Sequence, residues 1–392
     1  MADLAVTVCG IRFPNPIWTA AGPGGAHGKL LAAAARGGAG GLVTKTLSVT
    51  PARVPVPNIA TPSSGSLLNA ELWSEIDYRA FLDTELPRAQ ATRLPVVVSL
   101  GYSPEELALL GHAVEKTGLA SAVEFSIHYT GKDPITLAAQ ARALKHSTRL
   151  PVFAKLSPAV ANLSAAVRIL EPIVDGFVAI NSLGPALDFD VSTRRPLLGS
   201  QDGRGWLSGR AILPVGLHYV EAIAGLTSKP VIGVGGIRSI VDAVKYLMAG
   251  ASAVQVCTLA VLQGQEVYGK LAEGLSMWLD AHGFASVQEI RGLYRRERAA
   301  AAKAAGGNAV GPAAAAQATG AAETRLRDPG NPAANPYPAI EPELCDLCLA
   351  CQRSCIHRAI DFQDKTFFLN RAECVSCGLC CTVCPRAALS ME

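Results

Sequence analysis

Short apolar runs alternate with amphipathic stretches over the first 298 residues of the chain. Each apolar run, bounded by turn-forming residues, predicts a buried strand, and each stretch between runs has helical spacing. The predicted strands are 17–21, 41–46, 95–100, 122–127, 151–156, 176–181, 230–235 and 252–257. The predicted helices lie near 27–37, 74–91, 104–117, 134–146, 161–173, 213–226, 239–249 and 265–282. Eight such pairs over nearly 300 residues predict a (β/α)8 TIM barrel.

A doubly wound open sheet is the alternative fold for this alternation. It usually has fewer strands and carries a glycine-rich turn after its first strand. The motif G-x-G-x-x-G is absent from the chain. The pattern therefore favours the barrel for residues 1–298.

The alternation stops near residue 299. Between Ala299 and Ala322, 14 of 24 residues are alanine, interrupted by glycine and proline, and the segment RDPGNPAANPYP follows. Although part of the alanine run could form a frayed helix, this composition predicts an Ala/Gly/Pro-rich linker over 299–338. A separate small domain is then expected over 339–392.

Nine of the 11 cysteines lie between Cys345 and Cys384. Disulfides in a secreted domain and zinc knuckles are two explanations for such a group. The spacing C-x2-C-x2-C-x3-C occurs twice, however, and the second copy is followed by Pro385. Two matched triplets, each followed by a fourth cysteine, resemble bacterial ferredoxins with two [4Fe–4S] clusters, in a small α+β domain.

That resemblance assigns four cysteines to each cluster. The first set is Cys345, Cys348, Cys351 and Cys384, and the second is Cys374, Cys377, Cys380 and Cys355. Ile356 replaces the proline expected after Cys355, which removes no ligand. Cys381 is the ninth cysteine, and we expect it to be a packing residue.

Charge and hydropathy exclude several other classes of protein. Lys and Arg number 35 against 32 Asp and Glu, a net charge of +3, which gives no strong field for nucleic acid or a membrane surface. Neither a signal peptide nor a membrane-spanning segment is expected. Iron–sulfur clusters persist in a reducing compartment, so a cytoplasmic location is expected.

Polar and small residues follow the predicted strands, at the barrel end where active sites lie. They are Ala20, Ala21, Gly22, Lys45, Thr46, Ser126, Lys155, Asn181, Ser182, Gly235, Gly236, Cys257 and Thr258. Two lysines in one barrel mouth would be poorly tolerated without an anionic or electron-rich ligand. Glycines after the seventh strand and a small polar pair after the eighth match the usual phosphate site of this fold. Together they predict a phosphorylated cofactor.

Several motifs occur in an order that resembles the flavin-dependent dihydroorotate and dihydropyrimidine dehydrogenases. They are NPIWTAAGP near the start, LVTKT at 42–46, LLNAELWSE at 67–75, VFAKLSP at 152–158, AINS at 179–182, LSG at 207–209, VIGVGGI at 231–237 and AVQVCT at 253–258. The pyrimidine-reducing branch is the closer match, because its FMN barrel is joined to a two-cluster ferredoxin region. The resemblance spans essentially the whole chain.

The resemblance implies a set of FMN contacts and a set of substrate contacts. The FMN contacts are Ala20, Ala21, Gly22, Lys45, Thr46, Lys155, Ser208, Gly209, Gly235, Gly236, Cys257 and Thr258. Both lysines would face the flavin ring, and Lys155 suits its pyrimidine end, where a cation stabilises reduced FMN. The substrate contacts are Asn69, Glu71, Ser126, Asn181 and Ser182. Asparagine amides suit a ring with N–H and C=O edges.

The chain departs from the family in the loop after the fourth strand. The family has Asn-Leu-Ser-Cys-Pro there, whereas this chain has Ser126-Ile127-His128-Tyr129-Thr130. Tyr129 stands at the position of the proton-transferring cysteine and is the first candidate for a catalytic acid or base. His128 is the second candidate, either as the titrating group or as a partner of the phenolate. A packing role for Tyr129, with no proton transfer in this loop, is the third explanation.

These observations predict an oxidoreductase that acts on an activated C=C or CH–CH bond of a small cyclic amide or carbonyl compound. Hydride would pass through FMN, and electrons through two [4Fe–4S] clusters. The chain shows no nicotinamide site, so the expected redox partner is an NAD(P)H-dependent flavoprotein subunit or a soluble ferredoxin. Homo- or hetero-oligomerisation is left open. The alternative is an electron-transfer subunit without substrate chemistry of its own.

Overall fold

Eight parallel strands form a barrel in the first part of the chain. The computed structural model describes residues 2–62, 64–126, 134–160, 162–304, 337–355, 358–374 and 379–391. The strands up to residue 304 are β1 Val6–Val8, β2 Ile11–Phe13, β3 Ile17–Thr19, β4 Leu42–Val43, β5 Ile59–Ala60, β6 Ser66–Asn69, β7 Val96–Leu100, β8 Ala122–Ser126, β9 Val152–Leu156, β10 Gly176–Ala179, β11 Leu183–Leu187, β12 Phe189–Asp190, β13 Arg195–Pro196, β14 Arg204–Gly209, β15 Val231–Val234 and β16 Ala253–Val256. The barrel order is β3-β16-β15-β10-β9-β8-β7-β4. A parallel bridge between Trp18 and Gly41 joins the two ends, so the sheet closes on itself.

Helices follow the barrel strands and cover the outside of the sheet. They are α1 Gly28–Arg36, α2 Tyr78–Ala80, α3 Leu86–Gln90, α4 Pro104–Thr117, α5 Pro134–Ser147, α6 Leu163–Leu170, α7 Leu213–Leu226, α8 Ile240–Ala249, α9 Thr258–Gln263, α10 Val267–Ala281, α11 Val287–Ile290 and α12 Leu293–Ala304. A π-helix, Phe81–Glu85, joins α2 to α3, and short 3-10 turns occupy Pro23–Gly25 and Arg210–Ile212. Each predicted strand–helix pair is present, so the barrel prediction is confirmed and the open sheet is wrong.

The strands of the barrel are buried on both faces. Every residue of β7, β8 and β9 is buried, and one continuous apolar cluster joins strands and helices. Apolar side chains on the outer face of the strands pack against the helices, and the inner face fills the barrel. Polar groups that point inward must therefore be satisfied by other groups in the barrel.

A second, antiparallel sheet is inserted between barrel strands. Its order is β11-β14-β6-β5, and β14 pairs with β6 from Trp206 opposite Asn69 to Gly209 opposite Ser66. The segments that form it leave the barrel after β4 and after β10, at the carboxyl ends of those strands. The pattern of the sequence did not predict this sheet, because its strands are short and lack a continuous apolar run.

The helix α12 continues into the predicted linker and ends at Ala304. Alanine has the highest intrinsic helix propensity, so the first alanines of the run extend the helix that precedes them. The chain divides into two compact units, Met1–Gly320 and Ala321–Glu392. This division falls inside the predicted linker.

The second unit contains two antiparallel strand pairs and two five-residue helices among its described residues. Pro338–Ile340 pairs with Leu389–Met391, and Ile360–Gln363 pairs with Thr366–Leu369. The helices are Ala350–Ser354 and Leu379–Val383. This arrangement leaves the ferredoxin assignment a prediction. Within the described ranges of both units, no helix is both long enough and apolar enough to cross a membrane.

The first turn of α4 is held by a capping box. The hydroxyl of Ser103 accepts the Glu106 N–H, and the Glu106 carboxylate accepts the N–H groups of Ser103 and Tyr102. Burial opposes ionisation of Glu106, but hydrogen bonds from Ser103, Ser48 and Tyr102 outweigh it and hold the pKa of Glu106 below its ordinary value of 4.5. The ionised carboxylate therefore stabilises the fold.

We expect Glu106→Gln to lower the free energy of unfolding by about 1 kcal/mol at pH 7. Because the folded state depresses the pKa of Glu106, this loss is fully present above pH 4.5 and shrinks as the pH falls through the lower folded-state value. Urea unfolding followed by tryptophan fluorescence at several pH values measures it, since Trp18, Trp73, Trp206 and Trp278 all belong to the first unit. A difference that stays constant down to pH 3 would contradict the proposed role of the carboxylate.

Candidate active site

One pocket at the carboxyl ends of the barrel strands contains the predicted barrel site residues. The twelve predicted cofactor contacts and the five predicted substrate contacts all line it. The barrel strands contribute the residues at their ends, and the inserted sheet contributes Asn69, Ser208 and Gly209. The two candidate proton-transfer residues, His128 and Tyr129, lie outside the described residues. The structure thus brings the described candidates together, while their individual roles stay predictions.

Lys45 follows the end of β4 by two residues and is almost completely buried. Its ammonium nitrogen is 2.6 Å from Glu71 Oε2 and 3.6 Å from Glu75 Oε2. Asn58 donates a hydrogen bond to the other oxygen of Glu71. Glu75 is largely exposed, with 59% of its side chain accessible, whereas the Glu71 oxygen next to Lys45 is buried.

Lys155 lies near the end of β9 and is paired with two buried side chains of the barrel interior. Its ammonium nitrogen is 3.4 Å from Glu124 Oε1 and 3.3 Å from Gln255 Oε1. Gln255 Nε2 also donates to Glu124 Oε2 over 2.9 Å, which closes a triangle of three polar groups. Lys155 and Gln255 line the pocket, whereas Glu124 is completely buried and does not.

These two ion pairs correct one step of the sequence argument. Two lysines in the barrel mouth were expected to need an anionic or electron-rich ligand, but each already has a carboxylate within the protein. Glu124 and Gln255 were not among the predicted site residues. The signal that could have found them is a large polar residue, Glu or Gln, inside each of the apolar runs AVEFS and AVQV. In a strand, that residue shares a face with its neighbours two positions away.

Small amide and hydroxyl groups form the polar edge of the pocket. Asn181 Nδ2 donates to Ser126 Oγ over 3.2 Å, and Asn181 Oδ1 accepts the Ser182 N–H over 2.8 Å. Asn69 Nδ2 donates to the carbonyl of Trp206 over 2.9 Å, which ties this side chain to the inserted sheet. These contacts hold the amide planes in fixed directions, as is needed to recognise a planar ring with N–H and C=O edges.

Glycines form another wall of the pocket. Gly209, Gly235 and Gly236 have φ angles of +81°, +120° and +77°. An added Cβ would lie 2.4 Å from the Gly65 carbonyl oxygen at Gly209, and 2.6 Å from the Leu213 backbone at Gly236. Glycine is therefore required at these two positions by conformation and by space. The wall leaves main-chain groups accessible to a ligand.

Cys257 lines the same pocket but has the properties of a packing residue. Burial raises the pKa of its thiol to about 11; the ammonium of Lys155 opposes this rise and the carboxylate of Glu71 adds to it. The thiol thus stays protonated at neutral pH. This agrees with the expectation that its backbone, not its sulfur, serves the site.

Some of the cysteines of the second unit lie close together. Cys351 and Cys380 are buried in one small cluster, which Cys355, Cys381 and Cys384 flank. Burial raises the pKa of the Cys351 thiol, and the nearby sulfurs of Cys345 and Cys384 raise it further. Cys351 and Cys384, two members of the first predicted ligand set, therefore lie in the same small cluster.

Each half of this unit contains a local hydrogen bond of the same type, from a backbone N–H to the sulfur of the cysteine four residues earlier. Cys355 Sγ accepts the N–H of Ala359, and Cys384 Sγ accepts the N–H of Ala388. Across the parts of the chain that the structure describes, however, no three His, Cys, Asp or Glu side chains lie close enough to hold one metal ion. Cys377, a member of the second set, lies outside the described residues. The cluster assignment stays a prediction.

A closed parallel barrel with its polar residues gathered at the strand ends defines an enzyme of the TIM-barrel class. Residues 3–279 match the family model described as dihydroorotate dehydrogenase. The chain therefore belongs to the dihydroorotate dehydrogenase family, a family of flavin-dependent oxidoreductases that act on CH–CH bonds. The match ends before the cysteine-rich unit.

Curated relatives agree with this family. Dihydroorotate dehydrogenase B (NAD(+)), catalytic subunit, of Pyrococcus furiosus is 35% identical over 304 residues, covering 75% of this chain and 99% of its own. The protein of the same name from Methanothermobacter thermautotrophicus is 35% identical over 306 residues, covering 74% and 98%. That of Geotalea uraniireducens is 34% identical over 303 residues, covering 74% and 97%.

We expect Gly236→Ala to destabilise the barrel unit by about 2–3 kcal/mol, because the new Cβ meets the Leu213 backbone and the φ angle is unfavourable. Gly283→Ala is a matched control, since Gly283 has a φ of +74° and no atom within 4 Å of an added Cβ. It should lose about 1 kcal/mol from backbone strain alone. Urea unfolding followed by tryptophan fluorescence compares the two variants. Equal losses would show that space at Gly236 is not limiting.

Proposed function

We propose that this chain is the substrate-transforming subunit of an iron–sulfur flavoprotein that reversibly reduces an activated C=C bond in a small cyclic amide or carbonyl compound. The observation that carries the proposal is the pocket in which two buried lysines, fixed amides and positive-φ glycines converge. Family membership and the strand-end position of this pocket support it.

The residues of the pocket fit FMN. The glycine wall at Gly209, Gly235 and Gly236 gives the close main-chain approach that a phosphate needs, and Ser208 and Thr258, whose hydroxyl oxygens are 2.9 Å apart, lie beside it. Lys45 and Lys155 supply ammonium groups for the flavin ring. FMN bound here would exchange a hydride with a substrate carbon.

The remaining chemistry is assigned to groups of this chain. Asn69, Asn181 and Ser182 would hold the substrate ring through its N–H and C=O edges, and Ser126 would complete that edge. The acid of the loop after β8 would deliver a proton to the carbon next to the one that receives hydride. Tyr129 is the first candidate and His128 the second.

The substrate class is a ring of the pyrimidine type or a related unsaturated amide or ketone. The relatives named dihydroorotate dehydrogenase B make dihydroorotate and orotate the first pair to test. Ser126 in place of the family asparagine weakens the assignment of orotate, uracil or thymine, so other unsaturated cyclic amides and ketones belong in the same test. The words "NAD(+)" and "catalytic subunit" in those names support a partner subunit that exchanges electrons with a nicotinamide.

We further propose that the second unit holds two [4Fe–4S] clusters. The repeated cysteine spacing supports this, as do the shared cluster of Cys351 and Cys384 and the matching N–H···S contacts of Cys355 and Cys384. The clusters would pass electrons one at a time between the partner and the barrel cofactor.

The reaction is tested by reducing the flavin of the full chain anaerobically and adding orotate, uracil, thymine and unsaturated cyclic amides or ketones in turn. We expect at least one ring compound to reoxidise the flavin, and Tyr129→Phe to slow this by about 10²–10⁴-fold at unchanged FMN content. A His128→Gln variant that loses more than Tyr129→Phe would transfer the acid role to His128.

A different outcome would overturn the proposed reaction. If the wild-type flavin is reoxidised by electron acceptors but by none of the ring compounds, the chain is an electron-transfer subunit. If the purified chain holds no flavin, the assignment of the pocket is wrong.

The cluster assignment is tested by the iron and acid-labile sulfide content of the full chain. We expect about eight irons per chain, since each of the two clusters holds four. Cys345→Ser should remove about half of them by disabling the first ligand set. Cys381→Ser is the matched control, because Cys381 is a neighbour of the ligands without an assigned position, and it should keep all the iron. Zinc in place of iron, or equal losses in both variants, would contradict the assignment.

A further inference from the structure

A polar triangle crosses the interior of the barrel beneath the pocket. Glu124 lies in the middle of β8, Lys155 near the end of β9 and Gln255 in β16. Along the sheet order, β8 and β16 are four strands apart, so they face each other across the eight-stranded ring. The 2.9 Å hydrogen bond from Gln255 Nε2 to Glu124 Oε2 therefore spans the barrel.

Glu124 lies one layer deeper than the pocket. Side chains two positions apart share a face of a strand, so Glu124 is on the same inner face as Ser126, which lines the pocket. Ser126 is directly opposite Lys155 in the β8–β9 register. Glu124 itself does not line the pocket, and its exposed fraction is 0%. Any influence on a ligand must pass through Lys155, through Gln255 or through its own charge.

Burial of this carboxylate needs an explanation beyond packing. A carboxylate at this depth costs several kcal/mol unless a cation and hydrogen bonds compensate it. Both partners of Glu124 line the pocket floor, and one of them is the ammonium of Lys155. The polar triangle thus connects the barrel interior to one charged group of the site, the ammonium of Lys155.

The second lysine of the pocket is paired differently. Lys45 is neutralised by Glu71, which lines the pocket, and by Glu75, which is largely exposed. Glu75 is exposed to solvent, whereas the Glu71 oxygen that contacts Lys45 is buried. Glu124 is completely buried and does not line the pocket. The carboxylate beside Lys155 is therefore shielded from solvent more completely than the pair of carboxylates beside Lys45.

We propose that Glu124 is a positioning residue that fixes the direction and the net charge of the Lys155 ammonium, and thereby sets the redox potential of the flavin. This rests on the proposed binding of FMN in the pocket. Two-electron reduction gives FMN a negative charge, which a nearby cation stabilises. The Glu124 carboxylate cancels part of that cation's field and keeps the potential lower than Lys155 alone would make it.

The test is the midpoint potential of the flavin in the FMN-loaded full chain, measured by anaerobic spectroelectrochemistry. Glu124→Gln keeps the shape and removes the negative charge, so we expect a less negative potential. Equivalently, the preference for reduced over oxidised FMN should rise by about tenfold or more. Lys155→Met should shift the potential in the opposite direction.

Asp175→Asn is a matched control. Asp175 Oδ2 is 2.6 Å from the ammonium of Lys145, so it also belongs to a lysine–carboxylate pair. It immediately precedes β10, at the amino end of the barrel, away from the pocket. We expect its loss to change the stability of the barrel without moving the flavin potential.

The double variant Glu124→Gln/Lys155→Met covers the case in which Glu124→Gln alone fails to fold. Its potential should lie above that of Lys155→Met, because the uncompensated carboxylate is gone. A potential that does not move in Glu124→Gln, that moves in the same direction as Lys155→Met, or that is equal in the double variant and Lys155→Met overturns the inference. Wild-type protein that binds no FMN defeats the proposed function instead, so the two failures are distinguishable.

Discussion

A charged side chain inside a closed barrel has to find its counter-charge within the barrel, and this constraint organises the site. Every residue of β7, β8 and β9 is buried, so water cannot stabilise an ammonium or a carboxylate below the strand ends. Lys155 meets the constraint through Glu124 and Gln255, which belong to two further strands. The closure of the barrel, the placement of these side chains and the charge of the pocket floor therefore depend on one another. A change in Lys155, Glu124 or Gln255 affects the other two side chains.

The same constraint explains why the two lysines of the pocket are not equivalent. Lys45 is compensated by Glu71 and Glu75, from the segment after β6, whereas Lys155 is compensated from the barrel interior. Glu71 lines the pocket and Glu75 is largely exposed, whereas Glu124 is completely buried and does not line the pocket. A ligand in the pocket can therefore contact Glu71 directly. Glu124 would act on such a ligand only through Lys155, through Gln255 or through its own charge.

The barrel and most of the pocket could be predicted from the local pattern of apolar and polar residues along the chain. Apolar runs such as 151–156 reveal buried strands, and the residues at their ends must converge once the sheet closes. Glu124 and Gln255 were not found, because a pairing between strands on opposite sides of the ring depends on register that spacing along the chain does not contain. The inserted sheet, with strands as short as Ile59–Ala60, was missed for a similar reason, since its pairings are set by tertiary contacts.

The family match covers residues 3–279, while the repeated cysteine spacing lies wholly beyond it, in the second compact unit. The relatives carry the barrel over nearly their whole length, so the cysteine-rich unit is an addition to the part that they share with this chain. Under the proposed function, that unit would supply or remove electrons. This would give a fixed charge at Lys155 a physical purpose, because electron transfer between two cofactors depends on the potential at which each is held. A buried ion pair would hold the potential of the barrel cofactor independently of what occupies the mouth of the pocket.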